Sequence, residues 1–234
     1  MSVALVPVKR LTTGKSRLLP ELSRDQLEAL SLAMLEDVIE ALQAAASVGR
    51  VAVVTPDRTV ALAAESFGAE PLLLSDPGLN PSLEAAAGAL DLAPNEPLLV
   101  VLGDVAGVTA GDIEILFEVL RPPRAELQSE HTPSTPELIS TGPDPGAVCL
   151  APSSDGGTSA LLRRPHDVIS PRFGPESAKL HREAAAGASA AYTEVSLASL
   201  ATDLDCLEDI ESFLRTGVGG QHTRELLRHV KWGE

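Results

Sequence analysis

Asp203 and Asp205 stand on either side of Leu204 in the stretch TDLDCLEDIESFL, residues 202–214, just before a helical pattern. In extended backbone, successive side chains point to opposite faces, so both carboxylates share one face and the leucine takes the other. Two anions on one face repel unless a cation lies between them. An all-oxygen donor set suits magnesium, which keeps several waters and commonly bridges to substrate phosphates. The plain alternative is a helix cap at Asp205, with Asp203 merely exposed. A third aspartate, Asp104, directly follows the apolar run LLVVL at 98–102. Thr109 already supplies a cap for the next helical stretch, so Asp104 has either turn chemistry or a site as its role. Together Asp104, Asp203 and Asp205 form a candidate metal site.

The chain carries a formal net charge of -15, which opposes polyphosphate backbones and anionic bilayers at long range and argues against nucleic-acid and membrane partners. An acidic protein that binds an anion must gather its cations locally. Lys9, Arg10, Lys15 and Arg17 do so near the amino terminus; a solvated basic loop is the alternative. Two glycine-containing turns add candidate anion pockets. SSDGGTS at 153–159 ends at an expected helix start at Thr158, and RFGPES at 172–177 places Pro175 in the first turn of a second helix. His181 lies four residues after Ser177 on that helix and shares its face, with packing as the alternative. No H-E-x-x-H, G-x-S-x-G, Walker A or G-x-G-x-x-G pattern is present, so zinc protease, serine hydrolase, P-loop and dinucleotide-binding readings lack their parts.

Alternating strands and helices must position these groups. Valine-rich and leucine-rich runs at 2–8, 51–54, 71–74, 98–102 and 147–151 read as strands. Between them, helical spacing spans 23–46, opened by the S-x-x-Q pair Ser23 and Gln26, then 59–67, 82–92 and a stretch opened at 109–112. Further on, 158–164 reads as a short helix, 166–169 as a weak strand, 175–186 as a helix, 190–196 as extended, and 207–215 as a helix. A last amphipathic helix is expected within 217–234. Continuous apolar strands separated by amphipathic helices predict an α/β, doubly wound, mostly parallel sheet, with ligands bound beyond the carboxyl ends of its strands. Residues 121–146, with six prolines, read as an exposed excursion within one domain spanning 1–234. No apolar run is long enough to cross a bilayer and the amino terminus lacks signal-peptide features, so a cytoplasmic protein is expected. Cys149 and Cys206 lack metal or disulfide spacing and read as packing residues.

Five blocks in order, VPVKRLTTGKSRL, LGD with VTAGDI, APSSDGGTSALL, RFGPESAKLHREA and TDLDCLEDI, resemble the guanylyltransferase family of coenzyme F-420 biosynthesis over nearly the whole chain. The resemblance implies a GT-A-like nucleotidyltransferase that joins the guanylyl group of GTP to 2-phospho-L-lactate or phosphoenolpyruvate and releases diphosphate. It implies Mg2+ on Asp104, Asp203 and Asp205, acceptor-phosphate contacts at Thr158, Gly174 and Ser177, and GTP contacts at Lys9, Lys15 and Arg17. Asp104, Lys15 and Arg17 then carry catalysis. The chain departs from the family pattern at Val105 to Val108, where a D-x-P-L sequence is usual, and at Ser159, where asparagine is usual; its 121–146 excursion is also longer. Other nucleotidyltransferases of the same scaffold, and a nucleotide-sensing protein that has lost chemistry, are the alternatives. Oligomeric state stays open, with a homodimer as one arrangement.

Overall fold

The computed structural model describes residues 2–13, 18, 21–120, 146–201 and 203–230. Seven strands form one sheet: β1 (Ser2–Pro7), β2 (Val48–Thr55), β3 (Glu70–Leu73), β4 (Leu98–Val101), β5 (Ala147–Pro152), β6 (Thr158–Arg164) and β7 (Ala191–Glu194). Their order is β3-β2-β1-β4-β6-β5-β7, and only the pairings made by β6 are antiparallel. The expected doubly wound, mostly parallel α/β sheet is therefore present.

The core follows from strand alternation. Ala4, Val6, Leu99 and Val101 point to one face, where they meet α1 (Arg24–Ala44), α2 (Arg58–Ser66) and α4 (Ala110–Leu120). Val3, Leu5, Leu98 and Val100 point to the other, under α3 (Leu79–Ala89) and α5 (Ser177–Gly187). With both faces covered, every residue of β4 is buried, which is why its sequence shows no polar alternation. A third cluster joins the first half of α1 to α6 (Leu207–Thr216) and α7 (Gln221–His229) through Leu27, Leu30, Met34, Ile210, Phe213 and Leu227.

Local signals explain most boundaries. The capping box of α1 forms as its sequence predicts: Ser23 Oγ accepts from the Gln26 amide at 3.3 Å and Gln26 Oε1 accepts from the Ser23 amide at 2.8 Å. Thr109 caps α4, with its Oγ1 accepting from the Asp112 amide.

The expected helix at 158–164 is instead β6. Its run Ala160-Leu161-Leu162 is buried between β4 and β5, and a short, fully apolar segment carries no periodicity that separates strand from helix. The glycine pair before it is the turn of a β5–β6 hairpin, with the Ser153 amide donating to the Gly157 carbonyl at 3.2 Å. Residues 166–169, expected as a weak strand, form turns and bends. The expected excursion at 121–146 lies outside the described residues up to 145. Among the described residues, no helix is long and apolar enough to cross a membrane.

Candidate active site

The sheet order reverses at β1, with β2 on one side and β4 on the other, so the loops leaving β1 and β4 diverge and open a crevice at the strands' carboxyl ends. A cavity of about 280 Å³ sits there, lined by Lys9 and Arg10 after β1, Thr55 at the end of β2, Asp76 after β3, and Asp104 with Asp205. Gly103 lets the end of β4 close against β1: a Cβ at this position would lie 3.1 Å from a Val8 methyl and 3.4 Å from the Pro7 carbonyl oxygen. The next residue is Asp104, delivered directly to the crevice.

A remote segment brings the other carboxylates. The Leu204 amide donates to the Asp104 carbonyl at 3.3 Å, joining 203–205 to the end of β4. Leu204 is buried while Asp203 and Asp205 are half-buried, the alternation expected for Asp-Leu-Asp. Each of Asp104, Asp203 and Asp205 offers an oxygen within 4.8 Å of the others. Asp205 is not the cap of α6. That role belongs to Cys206 at the cap position and to Asp209, whose Oδ2 accepts from the Cys206 amide at 2.9 Å and the Asp205 amide at 3.1 Å. Burial, then the charge of Asp104 and more weakly those of Asp205 and Asp155, pushes the Asp203 carboxyl up to about 6. Three crowded oxygen donors fit a hard divalent cation, which would relieve the repulsion that Asp203 feels.

The chain's last helices support this corner, and nothing in the sequence pattern signals how. Asp37, inside α1, accepts from the His222 amide (2.9 Å), the Thr223 amide (2.9 Å) and the Thr223 hydroxyl (2.6 Å). It supplies to α7 the cap that Gly220, lacking a side chain, does not. That clamp presses Gly219 (φ +64°) onto the loop after Asp104, where an added Cβ would lie 2.4 Å from the Gly107 carbonyl oxygen. Val105, Ala106 and Val108, the residues that replace the expected D-x-P-L pattern, are buried beneath this contact. On the same α1–α7 seam, His222 pairs with Glu40 at 3.1 Å and Glu36 at 3.5 Å.

Thr158, Ser177 and His181 meet on the far side of the hairpin turn. Ser177 Oγ and Thr158 Oγ1 are 2.9 Å apart, and His181 Nδ1 is 3.1 Å from Thr158 Oγ1. Thr158 is 3% exposed, Ser177 1% and His181 0%. The helix-start pocket expected at Thr158 does not exist, because Thr158 opens a strand. At the start of α5, the amides of Ser177 and Ala178 already donate to the Gly174 and Gly156 carbonyls at 3.1 and 3.3 Å, so these two are not left over for an anion. Gly174 is exposed at the end of the loop from Arg172. Asn80 on α3, which sequence reasoning missed, clamps this loop: its Oδ1 accepts from the Phe173 amide at 2.7 Å and its Nδ2 donates to the Phe173 carbonyl at 3.0 Å.

The two corners adjoin through the hairpin turn. The Ser154 amide donates to the Ala201 carbonyl at 2.8 Å, and Asp155 lies close enough to contribute to the Asp203 shift. Lys9 is exposed beside the cavity, whereas Lys15 and Arg17 lie outside the described residues.

Solved structures share this fold. A nucleotidyl transferase from Methanothermobacter thermautotroptrophicus matches 92% of this chain and 99% of its own, with a TM-score of 0.59 at 17% identity. The fold is the GT-A-like α/β plan that this transferase also has. Residues 2–122 match the family described as "Guanylyl transferase CofC like". The phosphoenolpyruvate guanylyltransferase of Sphaerobacter thermophilus is 34% identical over 211 residues, covering 90% of this chain and 91% of the relative. The 3-phospho-D-glycerate guanylyltransferase of Phenylobacterium zucineum is 32% identical, covering 99% and 97%. The chain belongs to this guanylyltransferase family.

Proposed function

We propose that the chain transfers the guanylyl group of GTP to the phosphate of a three-carbon phospho-acid, phosphoenolpyruvate or 2-phospho-L-lactate, as a step toward coenzyme F-420. The observation that carries this reading is the meeting of Asp104, Asp203 and Asp205 at a cavity also lined by Lys9 and Arg10. The substrates named for the relatives from S. thermophilus and P. zucineum support a phosphorylated three-carbon acid as acceptor.

An acceptor phosphate oxygen, already anionic at neutral pH, attacks the α-phosphorus of GTP. The bond from that phosphorus to the oxygen bridging the α and β phosphates breaks, and diphosphate leaves with the electron pair. No proton has to be removed from the nucleophile, so no general base is needed; the residues act by positioning and by offsetting charge. Asp104, Asp203 and Asp205 would hold Mg2+, which when bound would offset phosphate charge. Lys9, with Lys15 and Arg17 of the same basic segment, takes the triphosphate. Thr158, Gly174 and Ser177 take the acceptor's phosphate, one hairpin turn from the carboxylates.

The test is incubation with GTP, Mg2+ and, in turn, phosphoenolpyruvate, 2-phospho-L-lactate and 3-phospho-D-glycerate, with mass detection of the guanylylated acid. A product from one of the first two is expected. No product with any acid from folded protein overturns the reading.

A further inference from the structure

His181 touches two of the segments assigned to the acceptor, and its hydrogen bonds allow a proton count. Its Nε2 accepts from the Arg172 amide at 2.9 Å, so that nitrogen carries no proton. The neutral ring must then carry its proton on Nδ1, which faces Thr158 Oγ1 at 3.1 Å. Thr158 therefore receives from His181 and cannot donate to it. Thr158 and Ser177, 2.9 Å apart, bring two hydroxyl protons. One is used between the two oxygens. The other has no acceptor within the trio, whichever way the hydroxyls turn.

We infer that His181 is the positioning residue of the acceptor site: with its proton on Nδ1 it fixes the Arg172–Gly174 loop and Thr158 together, and it turns one Thr158–Ser177 hydroxyl proton toward an anionic oxygen of the acceptor. The inference rests on the reading of Thr158, Gly174 and Ser177 as phosphate contacts given above. At 3% and 1% exposure, the two hydroxyls have little access to bulk water that would serve that proton instead. The loop is fixed from both sides, since Asn80 holds the Phe173 backbone and the Phe173 ring meets His181 edge-on, with centroids 5.2 Å apart. Burial, then the positive charge of Arg163 and more weakly of Arg172, pushes the imidazole down to about 4, against a smaller opposing contribution from the Ser177 backbone. The ring is thus neutral at neutral pH, as the count requires.

The experiment has two arms. In the first, ¹⁵N NMR of the wild-type imidazole reads the tautomer; the Nδ1–H form at neutral pH is expected, and the Nε2–H form overturns the inference. In the second, KM for phosphoenolpyruvate and for GTP is measured on H181F, H181N and H181Q. Asn keeps a donor near the Nδ1 position and Gln an acceptor near the Nε2 position. H181F should raise the acceptor KM about tenfold or more, the scale of one lost hydrogen bond in a buried site, with the GTP KM within about twofold. H181N and H181Q should each restore part of the acceptor KM. Equal rises in both KM values, or no rescue by either amide, overturns the inference. A wild-type protein that makes no product would instead strike the proposed reaction, and the NMR arm would still decide the tautomer.

Discussion

The carboxylate corner and the acceptor corner lie one hairpin turn apart, and desolvation acts on both, with opposite consequences. At the first, burial and the like charge of Asp104, and more weakly of Asp205, push Asp203 up to about 6. At the second, burial and neighbouring arginines push His181 down to about 4, and the neutral ring then satisfies two neighbours at once. On the proposed reading, the first corner takes a divalent cation. The other is complete within itself except for a single hydroxyl proton. A catalyst that must bring two polyanions together needs both: a place where negative charge is offset, and a place where a phosphate is recognised with little added charge.

The contrast is tested most severely at Asp104. Asp104→Ala should lower guanylyl transfer by a factor on the order of a thousand or more, equivalent to roughly 4 kcal/mol of barrier, and should weaken Mn2+ binding measured by electron paramagnetic resonance. Wild-type turnover and Mn2+ affinity in folded protein would remove the carboxylate corner from the mechanism. The next largest effect is expected away from the crevice. Asp37→Ala strips three hydrogen bonds from the start of α7, one of them from a buried hydroxyl, and should cost about 3 kcal/mol in denaturant unfolding. Since α7 presses Gly219 onto the loop after Asp104, the surviving folded protein should lose Mn2+ affinity while its phosphoenolpyruvate KM stays near wild type. Equal damage at both corners would show that they are not independently supported.

How legible each corner was in the sequence follows the same division. The convergence of Asp203 and Asp205 was legible, because alternation in extended backbone puts both carboxylates on one face. Asp104 was legible because Thr109 already served as the cap of α4 and left the aspartate without that duty. The α/β plan was legible because buried parallel strands read as unbroken apolar runs. Thr158 was misplaced on a helix, since the apolar run within TSALLRR is only three residues long and periodicity cannot choose, and its strand state is set by pairing with β4 and β5. Asn80 and Asp37 were missed for a different reason: each acts on backbone 93 or 185 and 186 residues away, and no local pattern reports such a partner.

At the acceptor corner, Thr158→Val keeps the shape and removes the hydroxyl. Phosphoenolpyruvate KM should rise about tenfold, roughly 1.4 kcal/mol, while the Mg2+ concentration for half-maximal rate stays unchanged. A shifted Mg2+ requirement would merge the two corners into one site and break the contrast drawn between them.

The smallest effect is a difference in pH slope. The Asp203 carboxyl titrates near 6 in the folded protein against an ordinary value of 3.8, so between those values the folded state keeps a proton that the unfolded chain has lost. Stability from this group is fully present below the lower value and is lost as pH rises through about 6. Asp203→Asn has no such loss. In the absence of divalent cation the variant should therefore be the more stable protein at pH 7, by about 1 kcal/mol once the side chain's half-exposure is allowed for, and the gap should close toward pH 4. His181 has the opposite sign, its neutral folded form losing stability as pH falls from 6.5 toward about 4, but it is common to both proteins and cancels in the difference. Added Mg2+ should reverse the order, stabilising the wild type more than the variant. Parallel stability curves for the two proteins, measured by urea unfolding from pH 4 to 8, would mean that the carboxylates do not repel one another enough to call for a cation.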